Sequence, residues 1–360
     1  MIKRIILYAL DHSFIVRSDK MKSAMGGNLM SQAEEETQTK NTVAHKKKFT
    51  FQDFKRGLRK GKYVYLMFLP VFLYYLIFCY LPMYGIVIAF QDFRPGMDFF
   101  ENAEWVGFKH FRSFFSSPIA FKVIKNTIVL NLWELAFGFP APIILALLLN
   151  EIRCSWFKKT VQTVSYLPHF VAMVVIIGIV KDIVSSEGLI NTIRAYFYEM
   201  AGGDPSSFKP IVYLNEAKYF RPIYVLSGIW QGIGWGSILY LSNLASIDPG
   251  LYEAAEIDGA GRFRKMISIT LPGIAPTITI MLIFAVGGLM SSGFEKLILL
   301  YQPLTYGVAD TIGTYMYRTG LEEAKYSLST AVSLFSTVIN FLLLVFVNKF
   351  AAKVSETSLW

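Results

Sequence analysis

The sequence predicts an all-α protein that crosses a membrane several times. Hydrophobic residues make up 54% of its 360 residues and charged residues only 17%, compared with roughly 25% charged residues in soluble domains. Apolar runs long enough to span a bilayer as helices recur along most of the chain. Basic residues collect in alternate connections between these runs. Together these observations predict a polytopic helical membrane protein.

The N-terminal region differs from the rest of the chain. The apolar run at 5–10 is too short for the core of a signal peptide and no small-residue cleavage site follows it. Residues 31–48 are rich in Glu, Gln and Lys, which is typical of a disordered cytosolic tail. We therefore predict a tail over 1–48 and one membrane domain over 49–360.

We predict six membrane-spanning helices, at about 63–90, 120–150, 163–184, 222–245, 272–291 and 328–349. A basic cluster at 46–62 precedes the first span, and basic residues recur after spans two, four and six. Since positively charged connections stay on the cytoplasmic side, both termini are predicted to be cytoplasmic. Anionic lipid headgroups, rather than nucleic acid, then explain the net charge of +9.

The three predicted outer segments, 91–119, 185–221 and 292–327, are longer and carry charges of both signs. Such surfaces suit contact with an extracellular binding protein. The two cysteines, Cys79 and Cys154, fall on opposite predicted faces of the membrane, so they are not expected to form a disulfide. The cysteines and the four histidines show no metal-ligand spacing.

The most specific motif lies between predicted spans four and five. Asp248 can cap a helix start and Pro249 fits a first helical turn. Gly259 and Gly261 permit backbone angles that strain other residues, so the chain can turn sharply there. This predicts a short docking helix followed by a bend. The candidate residues of this loop are Glu253, Ala254, Ala255, Asp258, Gly259, Ile269, Leu271 and Pro272.

This pattern resembles the EAA loop of the membrane subunits of ATP-binding-cassette importers. Glu-Ala-Ala, three residues, Gly, nine residues, Ile, one residue and Leu-Pro all occur at the family's spacing. Shorter motifs at 105–111, 166–168 and 247–252 extend the likeness to carbohydrate-uptake permeases over about 60 to 360. The segments 165–171 and 348–349 look most like the permeases that take up complex oligosaccharides or polysaccharides in Gram-positive bacteria.

The resemblance implies a six-span permease subunit in a bacterial plasma membrane. It implies a second permease, usually a different chain, two cytosolic ATP-binding-cassette subunits and an extracellular solute-binding lipoprotein as partners. ATP and Mg²⁺ would bind those ATPase subunits, because this chain lacks a Gly-x4-Gly-Lys-Ser/Thr loop. The chain would then be no enzyme. It would move a sugar by alternating access, with Glu253 at the ATPase contact and Gly259 at the bend.

Polar residues inside the predicted spans are candidates for the substrate path. Glu134, one turn after Asn131, is near the middle of span two, where a charge costs about 2.5–3.5 kcal/mol on the mildest scale. It must face protein or water, as a wall of the path, in an interhelical hydrogen bond, or as a protonated acid. Aromatic and amide groups on span four suit sugar rings, although aromatic residues also mark membrane interfaces. The further candidates are Trp230, Gln231, Trp235 and Asn243 on span four, and Phe294 and Glu295 beyond span five.

Two alternatives stay open. A membrane-embedded sugar-transfer enzyme would carry clustered ionisable catalytic residues at one membrane face, and the sequence shows no such cluster. A same-class importer of another solute would share the EAA loop, but an anionic solute calls for cations in the membrane interior. The predicted spans contain no Arg or Lys in their interiors apart from Lys181, which favours a neutral sugar.

Overall fold

The computed structural model describes residues 62–97, 103–291, 293–355 and 358–359. The tail predicted over 1–48 lies outside the described residues. The chain divides into two units, Met1–Pro82 and Met83–Trp360. Both are helical where they are described, and the second also contains a two-stranded antiparallel ladder, β1 Gln91–Asp92 with β2 Glu104–Trp105.

The first unit contains α1, Lys62–Tyr74, which continues as a π-helical segment at Tyr75–Tyr80. Both segments are strongly apolar, and every one of their side chains is exposed. An apolar helix without cover in water would be a liability. The side chains of α1 therefore need lipid or another protein chain around them.

The second unit begins within the 3₁₀ segment Leu81–Phe90. Its helices are α2 Lys109–Phe115, α3 Pro118–Trp133, α4 Pro140–Glu151, α5 Ser155–Tyr166, α6 Met173–Ile183, α7 Leu189–Met200, α8 Ala217–Leu244, α9 Pro249–Ile257, α10 Arg262–Lys265, α11 Leu271–Gly287, α12 Phe294–Leu300, α13 Tyr306–Ala309, α14 Ile312–Tyr317 and α15 Tyr326–Ser355. Single π-helical turns follow α3, α10 and α14, at Glu134–Gly138, Met266–Thr270 and Arg318–Glu322. Short 3₁₀ segments lie at Leu167–Phe170, Pro205–Ser207, Tyr213–Asn215 and Pro303–Thr305.

Four described helical stretches are long and apolar enough to cross a membrane, namely Lys62–Phe90, Pro118–Glu151, Arg262–Gly287 and Tyr326–Lys353. They correspond to predicted spans one, two, five and six. The fourth predicted span is α8, whose 28 residues are long enough. It falls short on hydropathy because glycine and polar residues interrupt its apolar side chains.

The third predicted span is not one continuous helix. Ser155–Phe170 and Met173–Ile183 meet at an angle of 105°. Pro168 lies in the 3₁₀ turn at this bend, and the turn ends at Val171, whose backbone is extended. The pair counts as a fifth span only if a bent helix crosses the bilayer.

Glycines let neighbouring elements approach α8 closely. A Cβ on Gly234 would lie 2.1 Å from the Ser165 carbonyl oxygen, and one on Gly236 would lie 2.9 Å from Cγ of Pro142. Gly232 has no neighbouring atom within 4 Å. Close approach to α8 therefore occurs at Gly234 and Gly236 but not at Gly232.

Three apolar clusters hold the described part of the second unit together. The largest joins α6, α8 and α12 through Ile177, Phe220, Tyr224, Leu297 and Leu300. A second joins α2, α3, α14 and α15, and a third joins α4, α8 and α11. Tyr224 of the largest cluster also lines the polar cavity described below.

The start of α3 is tied to the outer segment by buried polar groups. The Asn126 side chain donates to the carbonyl oxygens of Gly307 and Asp310, at 3.1 and 3.0 Å. The Thr127 hydroxyl accepts the backbone N–H of Ile312 at 2.9 Å. The Asp310 carboxylate in turn accepts two hydrogen bonds from Arg318, at 3.3 and 2.8 Å.

We expect Asn126→Ala to destabilise the protein. It would leave two buried carbonyl groups without their donor, which costs about 1–3 kcal/mol. Thermal unfolding in detergent, followed by size-exclusion chromatography, measures the effect. Asn150→Ala is the matched control, because the Asn150 side chain makes no hydrogen bond to any described residue. Equal losses in the two variants would contradict the role given to Asn126.

Candidate functional site

A cavity of about 410 Å³ lies between the π turn after α3, the middle of α8 and the start of α12. It brings together four of the residues predicted for the substrate path and adds others from distant parts of the sequence. Those four are Glu134, Gln231, Phe294 and Glu295, and the added residues include His169, Tyr224 and Lys296.

The centre of this cavity is a buried cation. Lys296 is 5% exposed, and its Nζ lies 3.8 Å from Glu134 Oε1. The same Nζ is 3.7 Å from the centre of the Tyr224 ring, in a cation–π contact. The carboxylate and the ring compensate a charge that would otherwise be costly to bury.

Local backbone structure places each member of this cluster. Pro140 has no N–H to donate, and just before it the helix widens into a π turn in which the Phe139 N–H donates to the Glu134 carbonyl oxygen at 2.9 Å. Such π turns are frequent at functional sites. The Tyr224 hydroxyl accepts the Gly293 N–H at 3.2 Å, which fixes the start of α12 beside α8.

Gly228 leaves the space that Lys296 occupies. A Cβ at this position would lie 2.5 Å from the Lys296 Nζ and 3.5 Å from Glu134 Oε1. The glycine is therefore required by the ion pair rather than by helix packing.

Aromatic residues form one side of the site. His169 lines the cavity and stacks on Trp235, which does not line it, with ring centres 4.5 Å apart and planes 5° apart. Trp230 does not line the cavity and is 43% exposed. Asn243 also lies away from it, where its side-chain amide donates to the Thr277 hydroxyl of α11 at 2.5 Å.

A second cavity, of about 370 Å³, adjoins the first because Glu134 lines both. Its walls include Asn131, Gly288 and Ser291. The Asn131 amide donates to the carbonyl oxygens of Thr127 and Leu289, at 2.9 and 3.0 Å. It thereby attaches span two to the end of span five and presents its own oxygen as an acceptor.

Sequence reasoning missed the residue at the centre of the site. Lys296 follows predicted span five, so it was not counted among the span interiors, and its partner Glu134 is far away in the sequence. The only local signal is a lone lysine beside the apolar run at 297–300. A buried cation weakens the argument that excluded anionic sugars.

The predicted docking helix is α9. Asp248 caps it, since its carboxylate accepts the Gly250 N–H at 2.9 Å, and Pro249 occupies the first turn. Gly259 has φ +74°, the left-handed region that favours glycine. Gly261 has an ordinary φ of −68°, so the special backbone angle predicted there is absent.

Two side-chain contacts attach α9 to the start of span five. The Glu256 carboxylate accepts a hydrogen bond from Lys265 at 2.5 Å, which holds the pKa of that carboxyl below its usual range. The Tyr252 and Thr270 hydroxyls are 3.0 Å apart. Helix α10, which carries the basic residues, continues through the π turn into α11 as one helical stretch from Arg262 to Gly287. Ile269, Leu271 and Pro272 lie on this stretch.

Other docking-helix residues face solvent. Glu253, Ala254 and Asp258 are exposed, and Ala255 is half-buried. Glu253 has no hydrogen-bond or ion-pair partner among the described residues. Its carboxylate is therefore available to another chain.

Comparison with known proteins identifies a matching family model and a similar permease. Residues 138–356 match the family model described as "Binding-protein-dependent transport system inner membrane component". The chain is 43% identical over 304 residues to the polygalacturonan/rhamnogalacturonan transport system permease protein YteP of Bacillus subtilis strain 168, covering 84% of this chain and 92% of that protein.

Solved structures are also similar. One is a bacterial ABC transporter involved in the import of the acidic polysaccharide alginate, with a TM-score of 0.76, 38% identity and coverage of 84% of this chain and 99% of that chain. A second, with the same scores, contains that transporter with an alginate pentasaccharide-bound periplasmic protein.

We expect Gly228→Ala to destabilise the fold even though alanine is the better helix former. The added methyl would displace the Lys296 ammonium from Glu134 or Tyr224, and such overpacking costs about 1–3 kcal/mol. In Gly232→Ala the methyl meets no atom within 4 Å, so helix propensity should stabilise this control by about 0.5–1 kcal/mol. Thermal unfolding in detergent measures both, and a Gly228→Ala protein as stable as the control would refute the packing role.

Proposed function

This chain belongs to the family of binding-protein-dependent transport system inner membrane components, and we propose that it works as a permease subunit of an ABC importer for oligosaccharides. Alternating access carries the sugar past the Glu134–Lys296 cluster. ATP and Mg²⁺ bind separate ATPase subunits, and the loop formed by α9 and its following bend transmits their movement. The chain itself has a mechanical and selective role.

The geometry of α9 is the observation that carries this proposal. The helix is capped at Asp248, attached to span five and followed by a bend at Gly259, and large apolar side chains on α9 and α10 are uncovered. Ile257 is 88% exposed and Phe263 is 69% exposed. Exposed apolar residues beside an unpaired carboxylate at Glu253 are typical of a surface that docks on another protein.

The proposed substrate is a hydroxyl-rich oligosaccharide. Carboxylates and amides in the two cavities can accept and donate hydrogen bonds with sugar hydroxyls, and the His169–Trp235 stack offers an apolar face. The similar proteins are named for acidic polysaccharides. The Lys296 ammonium gives uronate-containing sugars a counter-charge, so the proposal includes them beside neutral sugars.

The proposed partners are a second permease, two ATPase subunits and a solute-binding protein. The similar transporter bound to a periplasmic protein supports the last of these. The uncovered apolar side chains of α1 support contact with lipid or a second permease. Termini on the cytoplasmic side follow from the basic connections.

Cysteine labelling tests the proposed orientation. In a chain with Cys79→Ser and Cys154→Ser, an impermeant thiol reagent should label Ser207→Cys in intact cells, because 185–221 is proposed to be outside. Ser155→Cys, which is equally exposed in the structure, should react only after the membrane is opened. Labelling of Ser155→Cys in intact cells would invert the topology.

Substitutions in the bend test the coupling role. Gly259→Val would force a β-branched residue to positive φ, at a cost of roughly 1–3 kcal/mol. We expect sugar uptake and binding-protein-stimulated ATP hydrolysis by the assembled transporter to fall about tenfold or more. Gly261→Val is the matched control, because its φ is ordinary and an added Cβ meets no atom within 4 Å.

Glu253→Lys and Ala255→Trp should have the same effect through charge reversal and overfilling of the docking cleft. All variants should reach the membrane at parental levels, measured by immunoblot, because the loop is aqueous. Parental uptake by Gly259→Val, Glu253→Lys and Ala255→Trp together would remove the loop from the mechanism.

A further inference from the structure

We propose that a third cavity, between α14, α15 and the residues after α11, is a subsite for a neutral sugar ring. The proposal rests on the oligosaccharide transport argued above and assigns part of that sugar to a new place. The cavity measures about 450 Å³, within the range of about 300–1,000 Å³ for small-molecule sites. Of the residues predicted from the sequence for the substrate path, Phe294 alone is among the described residues that line this cavity.

Polar residues of α15 form one wall. Along this otherwise apolar helix they recur on a single face, which a helix of 3.6 residues per turn brings into one row. Polar side chains on a membrane-spanning helix favour protein or a water-filled cavity over lipid. The residues of this row are Ser329, Ser333, Ser336, Thr337 and Asn340.

Three of the four hydroxyl protons of this row are already used inside the protein. Ser329 donates to the Met316 carbonyl oxygen at 2.9 Å, Ser336 to the Met290 carbonyl oxygen at 3.1 Å, and Thr337 to the Ser333 carbonyl oxygen at 2.9 Å. A hydroxyl has one proton but two lone pairs, so these oxygens can still accept. A ligand for this wall must therefore supply several O–H donors, as a sugar ring does.

Aromatic rings also line the cavity, and its described lining carries no charge. The Phe294 and Tyr317 rings are 5.2 Å apart, and Tyr326 also lines the cavity. Such rings pack against the apolar face of a pyranose. None of the described lining residues is Asp, Glu, Lys, Arg or His, so a sugar carboxylate would have no counter-charge here.

Shared walls connect this subsite to the others. Phe294 also lines the Lys296 cavity, Ser291 also lines the cavity beside Asn131, and Glu134 lines both of those. Three adjoining cavities suit successive rings of one chain better than a single monosaccharide. The neutral ring would occupy the α15 cavity, and only the ring beside Lys296 would meet a cation.

Thiol protection in the assembled transporter tests the subsite. In a background of Cys79→Ser and Cys154→Ser, the rate of methanethiosulfonate labelling of Ser333→Cys is measured with galactotriose, with trigalacturonate and without sugar. We expect galactotriose to slow labelling about fivefold, and trigalacturonate to have little effect because burying its carboxylate unpaired is costly. Ser155→Cys, exposed on α5, should label at the same rate in all three conditions.

A conservative pair of variants tests the hydrogen bonding. Added to Ser333→Cys, Thr337→Val should raise the galactotriose concentration that gives half-protection about fivefold, since it removes one acceptor. Thr160→Val is the matched control, because Thr160 donates to a carbonyl one turn before it in the same way, to Trp156 at 3.0 Å, and lies outside the cavity. Equal values for the two would overturn the assignment.

Two outcomes separate this subsite from the transport function. If the parental transporter imports either trisaccharide while Ser333→Cys stays unprotected, the subsite is wrong and the importer remains. If Ser333→Cys reacts in the isolated chain but is blocked in the assembled transporter without sugar, a partner helix fills the cavity and the proposal falls. Selective protection by galactotriose supports it.

Discussion

The central constraint in this structure is the charge of Lys296, which is buried where the π turn after α3, the helix α8 and the helix α12 meet. A cation in such a place must be compensated, and the compensation comes from Glu134 and the face of Tyr224. Three features of the sequence follow from it. Gly228 provides the space, the widened helix before Pro140 provides the carboxylate, and the Tyr224 hydroxyl holds Gly293. The polar site and the largest apolar cluster thus depend on the same residues.

A single helical element lies between the docking loop and this site. The Tyr252–Thr270 and Glu256–Lys265 contacts attach α9 to the start of the Arg262–Gly287 stretch. Residues 288–293 connect its other end to α12, which carries Lys296. A displacement of α9 can therefore reach the cation through one helical stretch and this short connection.

The sequence predicts best those features that are local. The helix cap at Asp248, the left-handed turn at Gly259 and the apolar stretches of spans one, two, five and six depend on residues close together in the chain, and the structure has them. The bend in the third span was missed because hydropathy does not register the 3₁₀ turn at Pro168. The Lys296–Glu134 pair was not predicted because it joins segments that are distant in the sequence. The hydroxyl row of α15 was not predicted because the helix is mostly apolar and its few hydroxyl residues do not stand out in the composition.

Selectivity in a membrane cavity depends on which polar groups can still bind a ligand after the protein has formed its own internal hydrogen bonds. Asn131 spends both amide protons on backbone carbonyls, and the hydroxyls of Ser336 and Thr337 are spent in the same way. What is left in these walls is mainly hydrogen-bond acceptors, which recognise hydroxyl donors and do not recognise anions. Among the described residues that line these three cavities, Lys296 is the only lysine or arginine, and Glu134 largely cancels its charge. A sugar acid therefore gains a counter-charge in these cavities only by competing with Glu134 for the Lys296 ammonium. Glu134 thus determines how much the charge of a sugar, compared with the pattern of its hydroxyl groups, contributes to selectivity.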